Sequence, residues 1–463
     1  MIHYLEDCPK ISHGDMAELL YGNHKAKGLS MLKPKLLERM LETLNLSINP
    51  DHKALAKEDP ASQIQLELLK QLNYALTLRM RGCNQLAREI LEKCETRAVE
   101  FGYPGLQLQA QTMLRSMSDS LEEIQTHFGP EMQSTLEAYQ SDLMSQAYMD
   151  EYRVMTQMDR MPDEEMLREW LRERICNLEK RLEVHYSRRA HLHWFILREN
   201  LCRIEGAFQT GRQVVQEIED LLTIHPGLKS RYREGLPHLH LADLELRCYH
   251  WQAALQAATS ARALFYPGRR IHYRAGMLKM LSQLYLGDWA AAAATTQELL
   301  SVPAKHELRS LRPLVEYLHL CQDYLNGDLN SVKRSIQWEN PLNQDKRGWN
   351  VGIRLMEIII LVDLAEYETA SLRIETLRKH LSNHQALEAR SVLIYRYLYQ
   401  LERNSFSFEA TSKKTEEIMD DLAELTQWNP IGYEVVRFES WLKAKQEGRP
   451  VAEVLKEDWR KLA

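Results

Sequence analysis

Glycine and proline are scarce in this chain. The 463 residues include 19 Gly and 15 Pro, together about 7% against roughly 12% in average usage. So few turn formers exclude collagen-like, low-complexity and most loop-rich architectures. Long apolar runs are also missing. The densest, Leu355 to Leu364, is interrupted by Glu357 and Asp363, whereas a membrane span needs about 20 apolar residues. The opening Met1-Ile2-His3-Tyr4-Leu5-Glu6-Asp7 has neither the basic start nor the apolar stretch of a secretory signal, so no membrane association is expected. Neither sign of charge dominates: 59 Lys+Arg face 65 Asp+Glu, a net charge of -6. No global basic excess advertises nucleic acid, and there is no acidic tail.

Cysteine is sparse and unpatterned. Cys8, Cys83, Cys94, Cys176, Cys202, Cys248 and Cys321 are scattered and odd in number, with no C-x-x-C. That pattern reads as buried thiols in a reducing cytoplasm, not as a disulfide framework or zinc cage. The phosphate-loop, dinucleotide, zinc-protease and nucleophile-elbow motifs are all absent. Two His-x-His pairs, His191/His193 and His238/His240, lie in helical surroundings. Side chains two apart on a helix diverge, so neither pair is expected to hold a metal. No catalytic residue, cofactor or metal is assigned. An enzyme whose site is assembled from distant helices is the weakest alternative.

What the chain does have is helical periodicity nearly everywhere. Apolar residues 44% and charged residues 27% suit a large buried core. Leu32, Leu36, Leu37, Met40, Leu41 and Leu44 fall on one face of a helix over 30–48, and the polar stretch Asn45 to Pro60 reads as a loop. Residues 61–81 and 84–101 form a hairpin about Arg81-Gly82-Cys83. Pro104 and Pro162, the latter followed by Asp163, Glu164 and Glu165, mark helix starts, and Ser120 to Glu123 reads as a capping box. Nine of the 18 methionines lie between Met113 and Met166, as gap fillers or as an adaptable surface. Gln157 to Pro162 is taken as the boundary between an N-terminal helical module, residues 1–158, and an array with C-terminal capping helices, residues 159–463.

The second half repeats. Glu205-Gly206-Ala207-Phe208, Tyr249-His250-Trp251, Gly287-Asp288-Trp289, Asn326-Gly327-Asp328-Leu329 and Ala365-Glu366-Tyr367 each join a long apolar helix to a second helix. Phe208, Trp251, Trp289, Leu329 and Tyr367 are spaced by 43, 38, 40 and 38, and a degenerate copy lies near Phe406 to Ala410. A period near 40 with two helices per unit implies an all-α superhelix of stacked hairpins, each neighbour covering the next. Leu281-Ser282-Gln283-Leu284-Tyr285-Leu286-Gly287-Asp288-Trp289-Ala290-Ala291-Ala292 resembles a tetratricopeptide repeat turn, with a period longer than that family's 34. The resemblance covers roughly 185 to 425. It implies protein or peptide binding in a superhelical groove lined by the first helices of the repeats.

Arg188, Arg231, Arg269, Arg309 and Arg347 recur at the same intervals, at the starts of those first helices. Arg233, Arg270, Tyr273, Arg274, Tyr186, Tyr232 and Trp349 sit beside them. A cation at a helix N-terminus is disfavoured by about 0.3–1 kcal/mol, so five of them suggest a gain elsewhere. Two readings are open: pairing within the array, or a ladder for an anionic partner. The expected partner-binding residues are Arg188, Arg231, Arg233, Arg269, Arg270, Tyr273, Arg309 and Arg347. The expected partner is an acidic peptide or helix of another protein. A nucleic acid stacked on the tyrosines is the alternative.

Overall fold

The computed structural model describes residues 60–125, 129–157, 164–302, 308, 311–329, 332, 349–382, 389–424 and 428–462. The helix expected over 30–48 and the boundary residues 158–162 lie outside them. Every regular element among the described residues is helical. Helices α1 (Pro60–Met80), α2 (Asn84–Phe101) and α3 (Pro104–Arg115) are followed by the long α4 (Gly129–Gln157) and α5 (Glu164–Val184). The pairs α6 (Arg188–Ile204) and α7 (Phe208–Ile224), α8 (Arg231–Arg247) and α9 (Trp251–Leu264), and α10 (Arg270–Tyr285) and α11 (Trp289–Ser301) then stack in order. After them come α12 (Arg312–Leu325), α13 (Trp349–Asp363), α14 (Tyr367–Ser382), α15 (Ala389–Arg403), α16 (Phe408–Ser412), α17 (Glu416–Glu424), α18 (Phe438–Glu447) and α19 (Val451–Leu462). The chain is a tetratricopeptide-like helical solenoid. No helix of the described residues is long and apolar enough to cross a membrane.

One backbone device makes the hairpins. Gly82, Gly102, Gly206, Tyr249, Gly287, Gly327, Ala365 and Phe406 all have φ between 58° and 79°. Each stands two residues before the position that opens, or in the Leu329 turn would open, the following helix. In the first seven the next residue's N–H then reaches back five residues to a free helix-end carbonyl, as in Ala207 to Cys202 (2.8 Å), His250 to Glu245 (2.9 Å) and Asp288 to Gln283 (3.0 Å); in the last, Phe406 N itself, after a left-handed Ser405, reaches Leu401 O (2.8 Å). Left-handed backbone costs a non-glycine residue on the order of 1 kcal/mol or more. Tyr249 and Phe406 offset that cost by stacking: Tyr249 on Trp428 (6.0 Å between ring centres) and Phe406 on Tyr367 (4.7 Å). The Phe406 turn is the degenerate sixth copy of the sequence pattern.

The first helices change character along the array. Eight residues before the turn aromatic or its equivalent stand Asn200, Asp243, Leu281, Cys321 and Ile359 in turn. All five are buried, yet the first two are polar and the last three are not. From α10 onward the inner helices are buried on more than one face: in α10 every residue from Ala275 to Tyr285 except Lys279 is buried. In α13, Leu355, Met356 and the run Ile358 to Val362 are all buried, which requires cover on both faces.

The cover is the chain's own C-terminal segment. Residues 428–437 run without helix across the inner face, and tyrosine hydroxyls from successive inner elements donate to their carbonyls. Tyr249 reaches Trp428 O (2.7 Å), Tyr285 reaches Pro430 O (2.5 Å) and Tyr317 reaches Tyr433 O (2.6 Å). Arg390 holds Glu434 and Glu439 together through four N–O contacts of 2.6–3.0 Å. Trp441, Trp459 and Phe438 then bury completely, with Trp441 Nε1 and Tyr324 OH both donating to Asp363 (3.0 and 2.6 Å).

Gly352 lets α13 approach this segment. A Cβ there would lie 2.6 Å from Tyr433 Cβ and 2.8 Å from Tyr433 O. Gly352→Ala is therefore expected to destabilise the protein by about 1–3 kcal/mol through overpacking, read as a lower denaturation midpoint. Gly82→Ala, where no atom lies within 4 Å of the new Cβ, is expected to cost only its left-handed backbone strain.

Candidate binding surface

Beyond the C-terminal segment the inner face carries a largely buried chain of side chains from α4 to α10. Tyr152 OH on α4 donates to Asn200 Oδ1 on α6 (2.7 Å), and Arg203 donates to the same oxygen. Arg203 also reaches Asp243 on α8 (3.4 Å), where Arg247 (2.7 Å) and Arg274 of α10 (3.2 Å) converge. Glu199, with no exposure, pairs with His240 at 2.5 Å. Three guanidinium groups thus share one buried carboxylate. Burial alone would raise the Asp243 carboxyl, but Arg203, Arg247 and Arg274 outweigh it and hold the carboxyl well below its ordinary range. Burial opposes charge on Arg203 too, and Glu199 and Asp243 more than offset it. Glu199 is held below its ordinary value: the burial penalty is exceeded by His240 and Arg203.

Tyr232 of α8 is 53% exposed; desolvation pushes its phenol up, against the opposing charges of Arg153, Arg233 and Arg274. Arg270, one helical turn before Arg274, has its guanidinium pKa lowered by desolvation and then by Arg274. His193 of α6 has its Nδ1 2.9 Å from Ser145 Oγ of α4. Burial, then Arg233 and Arg189, drive its pKa down to about 4.

The structure distributes the sequence-derived ladder between two tasks. Arg188 and Arg231 open α6 and α8. Arg188 Nη1 donates to Glu100 O near the end of α2 (2.5 Å). Arg231 Nη2 donates to Ala263 O near the end of α9 (3.2 Å), with its guanidinium 4.8 Å above the Tyr266 ring. Arg312, at the start of α12, likewise reaches Val302 O (3.3 Å). Each cation meets the negative end of a neighbouring helix, which offsets the N-terminal penalty. Arg233 Nη1 donates to Leu228 O (3.0 Å), in the short turn before α8. Arg269 is the exposed residue before α10. Tyr273 is 2% exposed and belongs to the core, its phenol pushed up to about 12 by burial. Arg309 and Arg347 lie outside the described residues.

The His-x-His pairs diverge. His191 stacks on Phe195 (4.6 Å) while His193 meets Ser145. His238 is 3.8 Å from Glu219 while His240 meets Glu199. Among the described residues no three His, Cys, Asp or Glu side chains converge as metal ligands.

No protein-family profile and no curated protein matches the chain. Among solved structures, a Rap protein complexed with competence and sporulation factor is similar at 10% identity and a TM-score of 0.45. That likeness covers 86% of this chain and 97% of that one.

The sequence reading missed Arg153, Glu199, Arg203 and Asp243. The arginine phase follows helix starts, whereas Glu199, Arg203 and Asp243 sit about three to four turns along α6 and α8 and Arg153 sits on α4. The signal available was polar residues, Asn200 and Asp243, at a position where later repeats carry Leu281 and Ile359.

Two outcomes follow for this region. Asp243→Asn leaves the buried Arg203 and the partly exposed Arg247 and Arg274 around a neutral amide and is expected to cost about 3 kcal/mol, measured by chemical denaturation. His193 binds its proton less readily folded than unfolded, so stability falls as pH drops from about 6.5 towards 4, by up to roughly 3 kcal/mol. His193→Gln should flatten that part of the stability-against-pH curve, and an unchanged slope would assign it to other groups.

Proposed function

We propose that this protein is a non-catalytic binding scaffold. Its uncovered, arginine-lined inner face takes an extended acidic segment of another protein. In this reading residues 1–158 form an N-terminal module whose α4 supplies one wall, and residues 159–463 form the array.

One observation carries the reading: the array already holds a non-helical segment, its own. Over α8 to α13 the segment 428–437 is read by hydroxyls on its carbonyls, and its Glu434 is held by an arginine. Before that segment the array presents the exposed side chains of Tyr232 on α8, Arg153 on α4 and Arg274 on α10, with Arg233 and Arg270 on the same helices as Tyr232 and Arg274. The net charge of the chain is -6, so this cationic surface is a local departure from the whole. Arginine suits it because its planar fork meets carboxylates in pairs of hydrogen bonds. Affinity then rests on a few such anchors rather than on contact area.

A fluorescein-labelled glutamate-rich 12-mer is the direct probe. Arg153→Glu combined with Arg274→Glu is expected to weaken its binding at least tenfold, with the helical circular dichroism unchanged. A lysine-rich 12-mer should bind neither protein. Equal affinity of the wild type and the double variant for the acidic peptide would remove the assignment.

A further inference from the structure

One interface of the array departs from the repeat. Five and nine residues before the turn aromatic, α10 carries Leu284 and Met280 and α13 carries Val362 and Ile358, whereas α6 carries Arg203 and Glu199. Eleven residues before it, α10 and α13 carry Leu278 and Met356, whereas α8 carries His240. Together with Asn200 and Asp243, five polar residues thus stand where α10 and α13 are apolar. Four of them are buried, and the Arg203 side chain is only 12% exposed. They meet across α6 and α8: Glu199 with His240 at 2.5 Å and Arg203 with Asp243 at 3.4 Å.

The apolar core divides at the same place. Leu192, Phe195, Val214 and Ile218 belong to one cluster, which extends to Leu236 at the start of α8; a second cluster runs from Leu239 to Trp459, and the half-buried Ile271 touches both. The hydrogen bonds of the C-terminal segment start at Tyr249 and Trp251, beyond the polar layer. On the outer side α7 stays close to α8, where a Cβ at Gly211 would lie 3.1 Å from Leu244 Cδ2.

We propose that the polar layer is a joint. The helices up to α7 and those from α8 onward act as two cooperative units, which part between the inner helices α6 and α8 and pivot where α7 meets α8. Buried ion pairs lose much of their attraction to desolvation, so an apolar layer of the same size commonly holds two elements at least as firmly. Opening this layer returns its charges to water, whereas opening between later pairs exposes hydrocarbon. Coupling in a stacked array passes only between neighbours, so one weak layer divides the whole. Arg153 of α4 and Arg274 of α10, 63% and 46% exposed, stand on opposite sides of the joint. A segment held by both ties the units together, a step that rests on the acidic-segment reading above.

Native-state hydrogen exchange of the full chain, read by mass spectrometry in guanidinium below the global transition, tests the joint. Amides of α6 and α7 are expected to exchange about tenfold faster than those of α10 and α13, as one step. Giving the layer the apolar character of α10 and α13, with Glu199→Met, Arg203→Leu, His240→Leu and Asp243→Leu, should reduce that gap to about threefold or less. Arg203→Leu with Asp243→Leu takes its place if the fourfold variant does not fold. A single exchange step for all four helices of the wild type overturns the joint, and so does an undiminished gap in a folded variant. The glutamate-rich 12-mer, when bound, should slow exchange in α6 and α7 of the wild type; bound peptide without slowing overturns the tie. If that peptide does not bind, the acidic-segment reading falls, and the exchange gap of the free chain still decides the joint.

Discussion

The inner helices from α10 onward carry buried apolar residues on more than one face, and each of those faces has to be covered. In a simple stack of hairpins the outer helices cover only one face of the inner ones. The remaining face needs another layer, and the segment from Trp428 to Leu462 supplies it by returning over the array it terminates. Its placement decides which part of the inner face is closed and which part is available. The covering residues are Trp428, Tyr433, Phe438, Trp441 and Trp459, all buried, so this layer is integral to the core rather than a loosely held tail.

The backbone of the covering segment presents its own constraint. A non-helical run buried against helices leaves carbonyls without water, and each unpaired one costs about 1–3 kcal/mol. Tyr249, Tyr285 and Tyr317 meet that requirement from three successive inner elements. The phenols suit the task because burial keeps them protonated: Tyr285 and Tyr317 are pushed well above their ordinary values. Tyr249 does so from a left-handed turn residue where glycine stands in the neighbouring copies. Its backbone strain and its contact with Trp428 are two sides of one choice.

The repeat was legible in the sequence because it is local. Turn aromatics at intervals of 43, 38, 40 and 38 and glycine at Gly206, Gly287 and Gly327 are read without knowing any long-range contact, and so are the serines that cap α6 and α8. The return of the C-terminal segment was not legible in this way. Tyr285 and Pro430 are 145 residues apart, and no periodicity links them. Two hints were nevertheless present. The apolar run from Leu355 to Leu364 is too hydrophobic for a half-covered helix, and three of the nine tryptophans fall after residue 427. The candidate surface was legible only at its edge, through Arg233 and Arg270. Its buried layer depends on side chains from four helices meeting, which sequence spacing does not express.

The arginines show why a charge pattern needs its carboxylates before it can be interpreted. At the helix starts, Arg188 and Arg231 each meet a helix-end carbonyl, and the regular spacing that drew attention to them follows from the regular spacing of those helix ends. At Arg390 one cation serves two acids. Around Asp243 three cations share one acid, in surroundings where burying an unbalanced charge is costly. Glu199, paired with His240, adds its charge at Arg203, so the cluster around Asp243 carries acids of its own, and the cations that drew attention in the sequence are in large part answered within the array.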